Sequence, residues 1–176
     1  KARGQTSLSA MEVDYCRFYG IDKENQIENI VHRLGYFNAA GYKLACHVFT
    51  HALEQSALAG EDRKAKSAGV DASVYVDSSL ASGRSQGTVF LFHGYFDHTG
   101  LYRHIIDFLL RAGFDVVIYD LPGHGLSSGE SAAIADFSHY RDILEQCLQL
   151  CREMLPKPWF AVGQSTGAAV LMEYVM

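Results

Sequence analysis

The nine residues Trp159–Gly167, WFAVGQSTG, constrain the chain more than any other stretch. Four apolar residues, Trp159 to Val162, run into Gly163-Gln164-Ser165-Thr166-Gly167, and an apolar, helix-compatible segment follows from Ala168 to Met176. Strand, tight turn with a central serine, then helix is the setting in which G-x-S-x-G forms a nucleophile elbow. A serine on such a turn adopts strained backbone geometry, and flanking glycines, lacking Cβ, let the chain pass close by. The Ser165 hydroxyl is then lifted above the sheet. The helix that starts there turns its N–H groups and positive dipole end toward any anion forming beside it. Taken alone, the pentapeptide reads equally well as a plain Gly/Ser turn, so the rest of the chain must decide.

Three strand-then-loop units precede or include this turn. Thr88–Phe92 is a short apolar run, as in a strand buried on both faces, and leads into His93-Gly94-Tyr95-Phe96-Asp97-His98-Thr99-Gly100. The spacing predicts a helix over Leu101–Ala112 with Leu101, Ile105, Phe108 and Leu109 turned inward and Gly113 as its stop. Val116–Tyr119 is the next strand, followed by Asp120-Leu121-Pro122-Gly123-His124-Gly125-Leu126-Ser127-Ser128-Gly129. Asp136–Leu155 carries Phe137, Tyr140, Leu144, Cys147, Leu148, Cys151 and Leu155 as one helical stripe, closed by Pro156 and Pro158. Alternating strands and helices predict an α/β fold with a mostly parallel sheet, right-handed crossovers and helices on both faces. Ligands in such sheets bind at the C-terminal ends of the strands, where all three loops fall.

The earlier part is less regular. Lys1–Ala10 is expected to be poorly ordered, and Met11–Leu34 reads as two short helical pieces broken at Gly20, the second with Ile27, Ile30, Val31 and Leu34 on one face. Tyr36–His51 reads as a hairpin about Asn38-Ala39-Ala40-Gly41. Glu54–Gly69 reads as a loop or insertion, Val70–Val76 as a strand and Asp77–Gly87 as a turn region. The domain organisation expected is a helical extension over 1–35 and an α/β domain over 36–176. The chain opens on Lys1 and stops at Met176 within an apolar helix, which suggests a piece of a longer protein.

Composition narrows the function classes. Among 176 residues 48% are hydrophobic and 20% charged, enough for one sizeable core. A net charge of −5 argues against nucleic acid as a partner, since phosphate contacts need a basic face. No apolar run is long enough for a transmembrane segment. Cys16, Cys46, Cys147 and Cys151 form no C-x-x-C pair and read as buried thiols, so a reducing, cytoplasmic setting is expected. The Gly123-His124-Gly125 turn fits neither phosphate-binding fingerprint. No zinc-like spacing of ligands is visible, so no metal and no cofactor is expected.

The stretch from about Tyr36 to Met176 resembles the α/β-hydrolase superfamily, and within it the monoglyceride lipase and lysophospholipase group of serine aminopeptidase-like hydrolases. His93-Gly94 with Asp97-His98-Thr99-Gly100-Leu101-Tyr102 is similar to that group's HG…(E/D)HSGRY loop. Asp120–Gly129 is similar to its D-x-x-GHG-x-S-x-G loop, and Gly163–Gly167 stands at its GHSMGG elbow. The resemblance implies Ser165 as nucleophile and the N–H groups of Tyr95 and Thr166 as oxyanion hole, with His98 a candidate contact in the substrate-site loop. Each such donor lowers the barrier by roughly 3–4 kcal/mol in acyl transfer. Gln164 replaces a common histidine and Ala168 a common glycine. In this fold the triad runs Ser, then acid, then His. Thr166–Met176 contain Glu173, too near the serine to serve, and no histidine, so acid and base are expected after Met176. The expected activity is a serine hydrolase cleaving carboxylic esters, with a small-molecule or lipid-like monoacyl ester as substrate and an acyl-enzyme on Ser165. The segment alone is expected to be inactive. Alternatives are a non-catalytic binding protein of the same fold, or a peptidase or thioesterase. The residues themselves assign His93 and His124 to loop shaping and Asp120 to anchoring its own turn. Oligomeric state is left open.

Overall fold

The computed structural model describes residues 8–52 and 85–176. The loop expected over Glu54–Gly69, the strand over Val70–Val76 and most of the turn region Asp77–Gly87 lie outside the described residues, as does most of Lys1–Ala10.

Helix α1 (Ala10–Tyr19) begins at a capping box, in which the Ser9 side chain accepts from the Glu12 N–H while Glu12 reaches back to the Ser9 N–H. It ends at Gly20, which takes φ +64°. The second helical piece does not form. A 3₁₀ turn at Lys23–Asn25 leads instead into strand β1 (Ile30–Ala39), which pairs residue by residue with β2 (Tyr42–His51). Ile27, Ile30, Val31 and Leu34 mimic a helical period, but hairpin pairing decides, and the sheet begins before the expected boundary at residue 36. The turn itself is Ala40-Gly41, with φ +49° and +82°, the positive pair that matches strand twist.

Strands β3 (Thr88–Phe92) and β4 (Asp115–Tyr119) are buried at every residue, as strands covered on both faces must be. Among the described residues, strand β5 (Trp159–Gly163) completes a five-stranded sheet of order β1-β2-β4-β3-β5. The sheet is mixed. β1–β2 and β2–β4 are antiparallel, whereas β3 runs parallel to both β4 and β5. The parallel half carries the three loops to one edge.

Period-2 alternation splits the core in two. Phe90, Phe92, Val117 and Tyr119 meet α3 (Ser138–Cys151) and α4 (Thr166–Val175) on one face. Val89, Leu91, Val116 and Ile118 meet α1 and α2 (Arg103–Arg111) on the other. The inward face of α2 centres on Ile106 and Leu110; the expected Ile105 and Leu109 pack partly buried beside them, whereas Leu101 and Phe108 are 52% and 68% exposed. The expected stripe is out of phase because Thr99–Tyr102 forms a 3₁₀ turn, with three residues per turn, before the α-helix starts. The α3 stripe stands, with Tyr140, Leu144, Cys147, Cys151 and Leu155 buried; Phe137 lies outside the helix and is exposed. All four cysteines are free and buried. No helix of the described residues is long and apolar enough to cross a membrane.

Candidate active site

The turn between β5 and α4 is as tight as the pentapeptide demands. Ser165 takes φ +51°, ψ −114°, a conformation that a residue with a side chain adopts only under constraint. Both glycines are required by contact. A Cβ on Gly163 would stand 2.6 Å from the Ala168 nitrogen, and one on Gly167 would stand 2.2 Å from the Phe92 carbonyl oxygen. The Gln164 N–H donates to that same Phe92 oxygen at 3.0 Å, fastening the turn to the end of β3. Ser165 is exposed, and its hydroxyl has no hydrogen-bond partner among the described residues.

The β3 loop is held against this turn. Tyr102 Oη accepts from the Gly94 N–H at 3.0 Å, lies 3.3 Å from Asp97 Oδ2, and donates to Gln164 Oε1. Burial holds the Tyr102 phenol above its ordinary pKa, and the Asp97 carboxylate adds to the effect. A Cβ on Gly94 would meet Gln164 Oε1 at 3.4 Å. The backbone just before Tyr95 therefore abuts the side chain of the residue just before Ser165. The N–H groups of Tyr95 and Thr166 donate to no acceptor among the described residues. Beside them Tyr95 and Phe96 are exposed, and a shallow groove lined by Leu101, Tyr102, His104, Ile105, Asp97 and Gln164 opens next to the turn.

Two buried histidines and one buried carboxylate fix these loops. His93 accepts the Leu121 N–H on Nε2 at 2.8 Å and faces the Gly94 carbonyl with Nδ1 at 2.8 Å. Burial lowers its pKa, and the acceptor role of Nε2 leaves the ring's proton to Nδ1. His124 accepts the Phe96 N–H on Nε2 at 3.3 Å and donates from Nδ1 to the Pro122 carbonyl at 2.8 Å. Phe96 sits at φ +62°, a position that needs such an external hold. Asp120 Oδ1 accepts from both the backbone and the hydroxyl of Thr99 at 2.7 Å, while Oδ2 accepts the Leu126 N–H at 2.8 Å. Asp120 thus ties its own turn to the β3 loop, a cross-link that motif reading assigned only to the turn. Gly125 is obligatory there, because a Cβ would stand 2.1 Å from Asp120 Oδ2.

His98 is engaged with the N-terminal helix. Its Nδ1 lies 2.7 Å from the Tyr15 hydroxyl and accepts the Gly100 N–H at 3.2 Å, and its ring packs edge-on to Tyr19. Tyr102 and Gln164 both lie within the motifs, but motif reading missed their contact, which spans 62 positions and leaves no local pattern.

Solved structures share this architecture. A soluble variant of monoglyceride lipase from Saccharomyces cerevisiae aligns over 85% of this chain and 38% of its own, with a TM-score of 0.55 at 22% identity. A predicted hydrolase from Thermoplasma acidophilum aligns over 83% of this chain and 56% of its own, with a TM-score of 0.53 at 14% identity. The fold is that of the α/β-hydrolases. The family model described as serine aminopeptidase, S33, matches residues 83–176, more than half of the chain, and the chain belongs to that family. Among curated relatives, monoglyceride lipase of Rattus norvegicus is 32% identical over 90 residues, 51% of this chain and 30% of the relative. Phospholipase YtpA of Bacillus subtilis is 29% identical over 92 residues, 52% of this chain and 35% of the relative. The matched region thus spans about a third of the length of these relatives.

Proposed function

We propose that this chain carries the nucleophile and oxyanion hole of a serine hydrolase acting on carboxylic esters, with lipid-like monoacyl esters as substrates. The observation that carries the reading is Ser165 itself, exposed at φ +51° where β5 turns into α4. Ser165 Oγ attacks the ester carbonyl, its proton passes to a base, and negative charge gathers on the carbonyl oxygen. The unclaimed N–H groups of Tyr95 and Thr166 receive that charge, and the positive end of α4 adds to it. Collapse expels the alcohol and leaves an acyl-serine, which water then cleaves. The loops that place these donors are held by His93, His124 and Asp120, so those residues act through position. His98 takes the same kind of part, through α1.

The lipid-like substrate class is supported by the exposed Phe96 and Leu101 beside the turn and by the lipase and phospholipase relatives. The test uses the full-length protein and a fluorophosphonate probe. Wild type labels, Ser165→Ala does not, and hydrolysis of a monoacylglycerol falls by at least about 10³-fold in the variant. Labelling that persists in Ser165→Ala removes Ser165 from the mechanism. Labelling without ester turnover favours a binding protein of the same fold, and faster turnover of amides or thioesters favours the peptidase or thioesterase reading.

A further inference from the structure

The hairpin register brings His32 and His47 together. Leu34 pairs with His47 and His32 pairs with Phe49, so the two histidines are diagonal neighbours on one face of β1–β2. Their rings lie 5.2 Å apart and nearly parallel, with His32 Nε2 3.0 Å from His47 Nδ1. Cys16 of α1 packs over the same face. One ligand atom each from Cys16, His32 and His47 lies within 4.8 Å of the others. His47 is wholly buried, and its Nε2 has no hydrogen-bond partner among the described residues. An imidazole carries one proton when neutral, so this nitrogen is either a bare lone pair or an unanswered N–H, and each is costly in a core.

We propose that Cys16, His32 and His47 form a binding site for a divalent metal of zinc type. A thiolate with two imidazoles is a donor set suited to zinc, and three protein ligands leave a fourth position for water. A tetrahedral zinc with ordinary bond lengths sets its ligand atoms about 3.3–3.6 Å apart, so the widest pair needs to close by at most about 1.5 Å. His32 carries the outer contact that metal-bound imidazoles show, since its Nδ1 lies 3.5 Å from Glu24 Oε2. Glu24 is half-exposed and marks the way in from solvent. Binding releases the thiol proton of Cys16 and changes no oxidation state. The site stitches α1 to the first hairpin, on the core face opposite α3 and α4. It lies apart from Ser165 and does not depend on the hydrolase reading.

The experiment titrates cobalt(II) into the chelator-treated chain and follows absorption. One equivalent is expected to produce a thiolate-to-cobalt charge-transfer band with the intense visible bands of four-coordinate cobalt, and zinc displaces both. Cys16→Ser loses the charge-transfer band, and Glu24→Gln keeps it with affinity weakened by about tenfold. Cys147→Ser keeps it unchanged, because that thiol belongs to the opposite core. Failure of wild type to develop the band overturns the site. So does a band that survives Cys16→Ser or disappears in Cys147→Ser. If Cys16→Ser does not fold, wild type and the half-exposed Glu24→Gln still decide, because an unweakened Glu24→Gln also counts against the site.

Discussion

Ser165 holds its conformation because its neighbours are over-determined, and Asp120 braces the β3 loop that lies against its turn. Its carboxylate accepts three hydrogen bonds from two loops and is fully buried. Asp120→Asn replaces one acceptor with a donor facing an N–H or a hydroxyl. The expected cost is about 2–3 kcal/mol, read as a lower urea midpoint with an unchanged slope. His124→Ala acts differently. It removes the acceptor of the Phe96 N–H and frees the loop that carries the Tyr95 N–H. Turnover by the full-length protein is expected to fall by about 10–100-fold with KM little changed, since displacement of a donor by about 1 Å is felt in the chemical step. The serine and its glycines were legible because their constraints are local, with every partner lying within a few residues or on the adjacent strand. The Tyr102–Gln164 bridge and the Asp120–Thr99 tie were not, because they join residues far apart in sequence.

At the scale of elements, the weak point is β5. Among the described residues it pairs with β3 alone, and Phe160 and Val162 are 46% and 44% exposed, so there an apolar strand offers unpaired N–H and C=O groups along one side. Such an edge invites pairing with another strand. The 176-residue chain is expected to self-associate, and Phe160→Lys is expected to raise the concentration at which it does so, as measured by analytical ultracentrifugation. An unchanged association profile would place the contact elsewhere. Strands β3, β4 and β5 were readable as short apolar runs because burial on both faces leaves no polar position to blur them. The segment from Ile27 to Leu34 misled for a physical reason. Its apolar spacing satisfies a helix and a strand alike, and only the partner strand at Tyr42–His51 chooses between them. That misreading also hid the face on which His32 meets His47, since a helix over residues 27–34 would have carried His32 away from the hairpin.

Across the whole molecule, two cores share one sheet, and the ionisable groups that brace them respond to pH in opposite directions. His51 at the end of β2 sits 2.8 Å from Asp115 Oδ1 at the start of β4, and this hydrogen bond raises the imidazole above its ordinary value of 6.5. A raised folded-state pKa means that the stabilisation is fully present below the unfolded value and is lost as pH rises through the folded one. His47 and His93 are lowered by burial, so their contribution is present above 6.5 and is lost as pH falls below it. The wild-type curve therefore declines on both sides of the unfolded histidine range. His51→Gln keeps a donor for Asp115 but cannot take up a proton. Urea midpoints compared between about pH 6 and 9 should show wild type ahead of the variant at the acid end, with the gap closing as pH rises. A gap that stays constant would mean that the bond to Asp115 acts as a neutral contact, and one that widens with pH would reverse the sign of the linkage. Because β2 and β4 join the hairpin to the parallel strands, this pair reports on the seam between the two halves of the sheet. Its loss should lower stability without altering the turn at Ser165, which hangs from the far side of β3.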